Sequence, residues 1–235
     1  IDLAIVILPA AATPQAVREC AARGIGSVVL VAGGFAEVDG GGETLQAELV
    51  AAITETGVRV LGPNTAGHIS TPDSFTSSFF PLGEIPRGGI SYIAQTGNFT
   101  GAMMRHIMSA ENYGVARTIG LGNTVDIDET DVLEFLAEDP ETKAVFIYLE
   151  SFKRPRAFLE VADALTRRKP VVMLKGGASA EGARAALSHT ASMGSDDRIL
   201  DGALRRAGVV RISEFSHLFI GAKAFAASGL PTGNR

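Results

Sequence analysis

Residues 1–23 read IDLAIVILPAAATPQAVRECAAR, an apolar run followed by a proline and then by a helical pattern. The run over residues 1–8 has the length and composition of a buried strand. Thr13 can cap a helix and Pro14 suits the first helical turn, so a helix is expected from there to about Arg23. The stretch therefore predicts a strand, a turn and a helix, which together form the repeating unit of a parallel α/β sheet.

The same alternation continues downstream. A second apolar run over residues 27–31 is closed by glycines, a helix is expected over about 42–56, and a third strand over 58–61 stops at Gly62-Pro63-Asn64. Strands and helices at this spacing predict a mainly parallel sheet covered by helices. No glycine-rich dinucleotide fingerprint precedes these strands. We therefore expect part of a larger domain, whose phosphate-binding half lies upstream of residue 1, and a chain that is a fragment.

Residues 71–89 contain three prolines and three glycines, which predicts a boundary between two units. The second unit again alternates. Its expected strands cover residues 89–94, 115–120, 144–149, 171–174 and 208–212. Its expected helices cover about 99–109, 129–138, 156–168, 195–207 and 215–227.

Composition narrows the function classes. The 235 residues are 46% hydrophobic and 20% charged, which is typical of a water-soluble globular protein with a sizeable core. A formal net charge of -5 argues against nucleic-acid and anionic-membrane partners, which need clustered lysine and arginine. The single cysteine, Cys20, excludes an internal disulfide. The sequence has no Cys/His cluster of the kind that would indicate a metal site. With neither a signal-peptide pattern nor a membrane-length apolar run, we expect a cytoplasmic protein.

Polar residues follow the strands of the second unit. They are residues 95–98 (QTGN), Gly122-Asn123, Glu150-Ser151 and Lys175-Gly176-Gly177. Ligands of open parallel sheets bind beyond the carboxyl ends of the strands, so these groups are expected at one edge. Residues 96–98 also open the expected helix 99–109, where free N–H groups and the helix dipole favour an anion.

His189 lies in the small-residue stretch ALSHTASMG, residues 186–194, after the fourth of these strands. It can reach the same edge, where Glu150 could accept its second ring N–H and set its tautomer. The residues alone leave plainer interpretations open: a solvated loop histidine, a simple helix cap at Thr96-Gly97, and a solvated acid at Glu150. His68 follows a strand end and could join the edge, whereas His106 and His217 fall in expected helices as structural or surface residues.

The sequence does not complete the motifs of several other functional classes. Gly177 and Gly182 have the glycine spacing of a phosphate loop, but Ala183-Arg184 follows them in place of the lysine and hydroxyl residue. The residues after Gly120-Leu121-Gly122 do not continue the dinucleotide-binding motif. The sequence contains no Gly-x-Ser-x-Gly motif, which argues against a serine hydrolase.

Six short segments together resemble a known family. They are residues 35–37 (FAE), 62–64 (GPN), 93–97 (IAQTG), 122–128 (GNTVDID), 148–150 (YLE) and 188–190 (SHT). In order and spacing they are similar to the α part of ADP-forming acyl-CoA synthetases, relatives of the succinyl-CoA synthetase α subunit. The resemblance covers nearly the whole chain. It implies an α/β protein with part of a Rossmann-type CoA-binding domain in residues 1–80 and a flavodoxin-like ligase domain in residues 81–235.

The resemblance also implies an activity. Such enzymes convert a small carboxylic acid, CoA and ATP into acyl-CoA, ADP and phosphate through an acyl phosphate and a phosphohistidine. His189 would be the phosphohistidine and Glu150 its orienting carboxylate. The implied phosphate-binding residues are Gln95, Thr96, Gly97, Asn98, Gly122 and Asn123. The implied CoA-binding residues are Gly34, Phe35, Glu37, Pro63 and Asn64. ATP and Mg²⁺ would bind an ATP-grasp domain or β subunit outside this chain, which alone should be inactive, and an oligomer is expected.

Two departures from the family pattern bear on the acid pocket: Thr65 replaces a cysteine, and Asn98 stands where a small residue is commoner. Two alternatives to the ligase also remain. Related domains serve as acyl-CoA-sensing regulatory regions of protein acetyltransferases, which tend to lack the histidine, and a scaffold could bind only a partner chain. The acid, and the choice between ATP and GTP, are not predicted.

Overall fold

The computed structural model describes residues 1–38, 40–177 and 197–228. His189 lies outside the described residues. The first sheet contains three parallel strands in the order β1-β2-β3, as the alternation of strands and helices predicts. These strands are β1 (Leu3–Val6), β2 (Ser27–Leu30) and β3 (Arg59–Leu61), and their connecting helices are α1 (Thr13–Ala22) and α2 (Gly42–Thr56).

The second sheet has seven strands among the described residues, in the order β10-β9-β8-β6-β7-β4-β5. Its strands are β4 (His68–Ser70), β5 (Phe75–Thr76), β6 (Arg87–Ala94), β7 (Val115–Gly120), β8 (Ala144–Leu149), β9 (Val171–Lys175) and β10 (Val210–Ile212). The helices are α3 (Ala102–His106), α4 (Glu129–Glu138), α5 (Pro155–Thr166), α6 (Asp197–Arg206) and α7 (Ser216–Ala227). Strands β6 to β10 are parallel, so their carboxyl ends share one edge.

Strands β4 and β5 were not predicted. They form a hairpin, and β4 pairs antiparallel with β7 through His68 opposite Ile119. The interpretation of residues 71–89 as a plain boundary is therefore incomplete, because part of that segment is a strand of the second sheet. The hairpin is fixed by distant contacts, since Arg117 bonds to Ser70 Oγ and Asp73 Oδ2, each at 2.5 Å. The division into units 1–80 and 81–235 remains a proposal.

The predicted single helix over residues 99–109 is wrong. A 3-10 turn covers Gly97–Thr100, α3 covers Ala102–His106, and a π-helical turn covers Ile107–Glu111. The break falls at Gly101, whose φ is -116° and ψ is -94°. A Cβ atom at Gly101 would lie 2.6 Å from Cζ of Phe80, so the ring of Phe80 occupies the space beside the break.

The two sheets share a core and a backbone seam. Val29 and Leu61 of the first sheet pack in the same buried cluster as Ile93 and Ile147 of the second. The segment after β7 runs beside β3, where the amide of Asn123 donates to Pro63 O at 2.8 Å. This seam brings the loop after β7 against the loop after β3.

Candidate functional site

A cavity of about 660 Å³ opens where the carboxyl ends of strands from both sheets meet. Three of the four predicted polar groups of the second unit line it, whereas Lys175-Gly176-Gly177 is not part of the lining. The predicted site residues in the lining are Glu37, Asn64, Gln95, Thr96, Gly97, Asn98, Gly122, Asn123 and Glu150. The structure thus brings most of the expected site residues into one cavity.

The turn over residues 95–98 is exposed to this cavity but does not begin a long helix. Thr96 Oγ1 accepts from the amide of Asn98 at 3.4 Å, as in a cap. The four-residue 3-10 turn that follows has a smaller dipole than the expected helix. Gly97 is exposed, and a Cβ there would meet only Ala66, at 3.6 Å. An anion at this turn would therefore depend on local N–H groups.

Gln95 is committed to the backbone of the loop after β8. Its Oε1 accepts from the amides of Glu150 at 2.6 Å and Ser151 at 2.9 Å. Its Nε2 donates to Ser151 Oγ at 3.3 Å. From the other side, Lys175 Nζ donates to the carbonyl of Glu150 at 2.6 Å, and burial lowers the pKa of Lys175. Gln95 and Lys175 together fix the backbone position of Glu150.

The carboxylate of Glu150 is half-buried in the cavity wall. The hydroxyl of Tyr148 donates to its Oε1 at 3.4 Å. Burial, and then the negative charge of Glu150, raise the pKa of Tyr148, so the phenol remains a donor. Because His189 is outside the described residues, the predicted contact between it and Glu150 stays a prediction.

A chain of polar side chains crosses the cavity from the first unit to the second. Glu37 Oε1 accepts from the amide of Gly34 at 2.6 Å, and Glu37 Oε2 accepts from Asn123 Nδ2 at 2.5 Å. Asn64 Nδ2 donates to Asn123 Oδ1 at 3.3 Å. Burial alone would raise the pKa of Glu37, but the hydrogen bonds donated to its carboxylate hold that pKa below its usual value. Glu37 is therefore an anion that orients the carboxamide of Asn123, whose oxygen accepts from Asn64 in turn.

Three predicted CoA-binding residues stand outside the lining. Phe35 is fully buried in the core of the first unit, so only its backbone reaches this edge, where its amide donates to Glu37 at 3.3 Å. Pro63 is buried and follows a cis peptide bond, and Gly34 has a φ of 104°. These three residues therefore set the backbone conformation next to Glu37 and Asn64 and do not line the cavity themselves.

Gly122 is required where the two units meet. Its φ is 64°, and a Cβ there would lie 2.1 Å from Pro63 O. We expect Gly122→Ala to lower the free energy of unfolding by roughly 3 kcal/mol, because the substitution adds left-handed backbone strain to a clash with a backbone atom. Urea denaturation would measure this loss.

Gly24 supplies a matched control for that experiment. Its φ is 74°, but a Cβ there would have nothing within 4 Å. Gly24→Ala should therefore cost about 1 kcal/mol, from backbone strain alone. Equal losses in the two variants would show that the contact between Gly122 and Pro63 O does not constrain the molecule.

The cavity lining also contains residues that the sequence did not indicate as site residues. They are Val31, Ala36, Gln46, Ala66, Phe79, Phe80, Thr124, Phe152 and Lys153. Ser151, expected at the strand edge, and Thr65, expected to bear on the acid pocket, line it as well. The two phenylalanines come from the segment interpreted as a boundary, and no local signal marks them. Thr65, the departure from the family pattern, is buried: its hydroxyl donates to Gly120 O at 2.5 Å and accepts from the amide of Gly67 at 3.0 Å. The Thr65 hydroxyl therefore links the backbone of Gly67 to that of Gly120.

Two acids of the resembling segments do not reach the cavity lining. Asp126 accepts from the amide of Val60 at 2.7 Å and pairs with Arg59. Asp128 caps α4 and pairs with Arg154, which holds the pKa of Asp128 below its usual value although burial opposes this. Asp126 therefore stabilises the seam at β3, and Asp128 stabilises the start of α4.

The described histidines lie apart from the cavity lining. Burial lowers the pKa of His68, whose Nδ1 lies 2.8 Å from Ser77 Oγ. His106 packs edge-on against Phe219 and lies 3.3 Å from Glu111. Over residues 1–38, 40–177 and 197–228, no cluster of three or more His, Cys, Asp or Glu side chains could hold a metal ion. Across the same ranges, no helix is long and apolar enough to span a membrane.

Two family models match separate parts of the chain. Residues 1–70 match the family model of a CoA binding domain, and residues 87–225 match that of a succinyl-CoA ligase like flavodoxin domain. The chain belongs to the ADP-forming acyl-CoA synthetase family. The resemblance seen in the sequence and the predicted fold class are thereby confirmed.

Relatives in this synthetase family match along the whole chain. Acetate–CoA ligase [ADP-forming] II of Archaeoglobus fulgidus is 39% identical over 236 residues, covering 100% of this chain and 35% of that protein. The α subunit of acetate–CoA ligase [ADP-forming] I of Pyrococcus furiosus is 34% identical, covering 100% of this chain and 50% of that subunit. The chain thus spans half or less of the length of these relatives.

A solved structure has the same fold. The dinucleotide-forming acetyl-coenzyme A synthetase 1 of Candidatus Korarchaeum cryptofilum, in complex with phosphate and ADP, superposes with a TM-score of 0.93 at 33% identity. The match covers 99% of this chain and 50% of that one.

Proposed function

We propose that this chain is the CoA-binding and phosphohistidine-bearing part of an NDP-forming acid–CoA ligase. The observation that carries the proposal is the cavity between the two matched units. In it, Glu37 and Asn64 of the first unit face the exposed Thr96-Gly97 turn and Glu150 of the second. A thiol cofactor held by one unit could there meet a phosphoryl group held by the other.

The proposed reaction has three transfers. His189 accepts a phosphoryl group from the nucleoside triphosphate, and the diphosphate leaves. A carboxylate oxygen of the acid then attacks that phosphorus, which forms an acyl phosphate and frees the imidazole. Finally, the CoA thiolate attacks the acyl carbon and displaces inorganic phosphate. A neutral imidazole suits this relay because it is nucleophilic near pH 7.

The residues of the cavity have separate proposed roles. The N–H groups of residues 95–98 and the side chains of Thr96 and Asn98, with Gly122 and Asn123, would surround the phosphoryl oxygens, since such a transfer depends on positioning and charge stabilisation. Glu150 would accept a ring N–H of His189. Glu37 would hold Asn123 in place and, through Asn123, would orient Asn64 toward CoA, above the backbone of Gly34, Phe35 and Pro63.

The partners follow from the same proposal. An ATP-grasp domain or β subunit outside this chain would bind ATP and Mg²⁺, as the family resemblance implies. Relatives that are α subunits, or larger proteins of which this chain matches a part, support such a partner. We further propose an oligomeric enzyme in the cytoplasm, inactive as this isolated stretch.

The acyl-CoA-sensing alternative has less support. The relatives compared above are ligases, and the chain keeps the histidine that sensing regions tend to lack. A polar cavity of about 660 Å³ also favours a protein that binds a small ligand over a scaffold that binds only a partner chain.

The test is an assay of the full-length protein, together with its ATP-grasp part, on small carboxylic acids with CoA, ATP and Mg²⁺. We expect ADP and acyl-CoA in equal amounts, formed only when acid and CoA are both present. Formation of AMP and pyrophosphate would contradict the proposal. Tight acyl-CoA binding without turnover would favour the sensing module.

A further inference from the structure

The segment between β8 and α5, residues 150–154, forms one wall of the cavity. Glu150, Ser151, Phe152 and Lys153 all line it. The first end of the segment is held by Gln95 and Lys175, as described above. The bonds from Gln95 and Lys175 reach only Glu150 and Ser151, so the far end of the segment needs an anchor of its own if the wall beside the Glu150 carboxylate is to keep its shape.

Glu129, the first residue of α4, holds that far end. Its Oε1 accepts from the amide of Lys153 at 2.7 Å and from the amide of Arg154 at 3.4 Å. Both amides immediately precede α5, where backbone donors have no partner within the helix. The Glu129 side chain thus supplies the acceptor that the end of the segment needs.

Holding the segment in this way is costly. Glu129 is fully buried, and within the described part of the chain its Oε2 has no hydrogen-bond partner. A buried carboxyl oxygen without a partner lowers stability, and an apolar side chain at this position would avoid that loss. Burial also raises the pKa of Glu129.

The negative charge of Glu129 is not needed to neutralise its neighbour. The guanidinium of Arg154 pairs with Asp128 at 2.5 Å and with Asp131 at 2.8 Å. Glu129 meets Arg154 through the backbone amide. What Glu129 contributes is therefore a hydrogen-bond acceptor at a particular point.

We propose that Glu129 is a positioning residue that holds residues 150–154 against the cavity and so keeps the Glu150 carboxylate in place. This inference rests on the proposed function, in which Glu150 orients the phosphorylated histidine. It assigns to α4 a part in the site, although Glu129 does not line the cavity.

The test compares two variants in the full-length enzyme. Glu129→Gln keeps the Oε1 acceptor, and Glu129→Leu removes it at similar size. We expect the leucine variant to lower kcat roughly 10- to 100-fold, because a small displacement of a group that positions the reacting atoms slows the reaction strongly. Its KM for CoA should stay within about twofold, since the CoA side of the cavity is untouched. Amide hydrogen exchange over residues 150–154 should become faster, and glutamine should restore both readouts.

Thr130→Val is the matched control. Thr130 is the next residue of α4, is also fully buried, and has a hydroxyl without a partner among the described residues. It makes no bond to the segment, so kcat and exchange should stay at wild-type values. If the leucine variant does not fold, Glu129→Asp withdraws the carboxylate by one methylene and should give the same losses.

A folded leucine variant with wild-type kcat and unchanged exchange would overturn the inference. So would a glutamine variant as slow as leucine, since the charge would then matter more than the acceptor. If the wild-type enzyme makes no acyl-CoA, the proposed function fails. The exchange measurement still decides separately whether Glu129 holds the segment.

Discussion

Replacing His189 with alanine should abolish phosphoryl transfer in the full-length enzyme. Incubated with radiolabelled ATP and Mg²⁺, the wild type should acquire an acid-labile, base-stable label typical of phosphohistidine. His189→Ala should acquire none, and its acyl-CoA formation should fall by roughly 10³-fold or more, because no other group would carry the phosphoryl intermediate.

His106→Ala is the matched control for this experiment. His106 packs against Phe219 beside Glu111 and does not line the cavity, so its variant should label like the wild type. Equal label on wild type and His189→Ala, or none on either with ATP binding intact, would contradict the synthetase mechanism. The acyl-CoA-sensing module would then be the better hypothesis.

The second large effect is expected at Glu150. Glu150→Gln keeps the side-chain size, and the backbone bonds to Gln95 and Lys175 do not depend on its charge. The variant loses the carboxylate that would hold the histidine ring and stabilise its positive charge. We expect the rate of label formation to fall roughly 10²-fold. KM for CoA should change by less than about twofold.

Single-turnover labelling by rapid quench would measure that rate. Glu138→Gln provides the comparison, because Glu138 is an exposed acid of α4 that pairs with Arg168 at 2.8 Å, away from the cavity. A Glu150→Gln enzyme as fast as wild type would mean that His189 is oriented without this carboxylate.

Most elements of the fold could be predicted because their signals are local. The apolar runs that became β2, β7 and β8 have the composition of buried strands, and α2 and α4 have helical spacing. The hairpin of β4 and β5 could not be predicted, since its short strands carry no periodic pattern. Pairing with β7 and the bonds from Arg117 make it a strand pair.

The candidate site divides in the same way. Residues that end strands, such as Thr96 and Asn123, were predicted to gather at one edge because parallel strands place their carboxyl ends together. Phe79, Phe80 and Gln46 could not be found, because their place in the cavity depends on how separate segments pack. The role of Glu129 is of the same kind, since its partners are 24 and 25 residues away in sequence.

The alternating α/β architecture, the family and the set of polar residues at the strand ends could be inferred without coordinates. Those properties depend on residue type, spacing and order along the chain. The bonds by which Gln95 and Glu129 hold the loop that carries Glu150, and the close approach of Gly122 to Pro63 O, could be found only in the folded molecule. These contacts join residues from different strands and helices, and a hydrogen bond or a clash depends on distances that arise only when both sheets pack together.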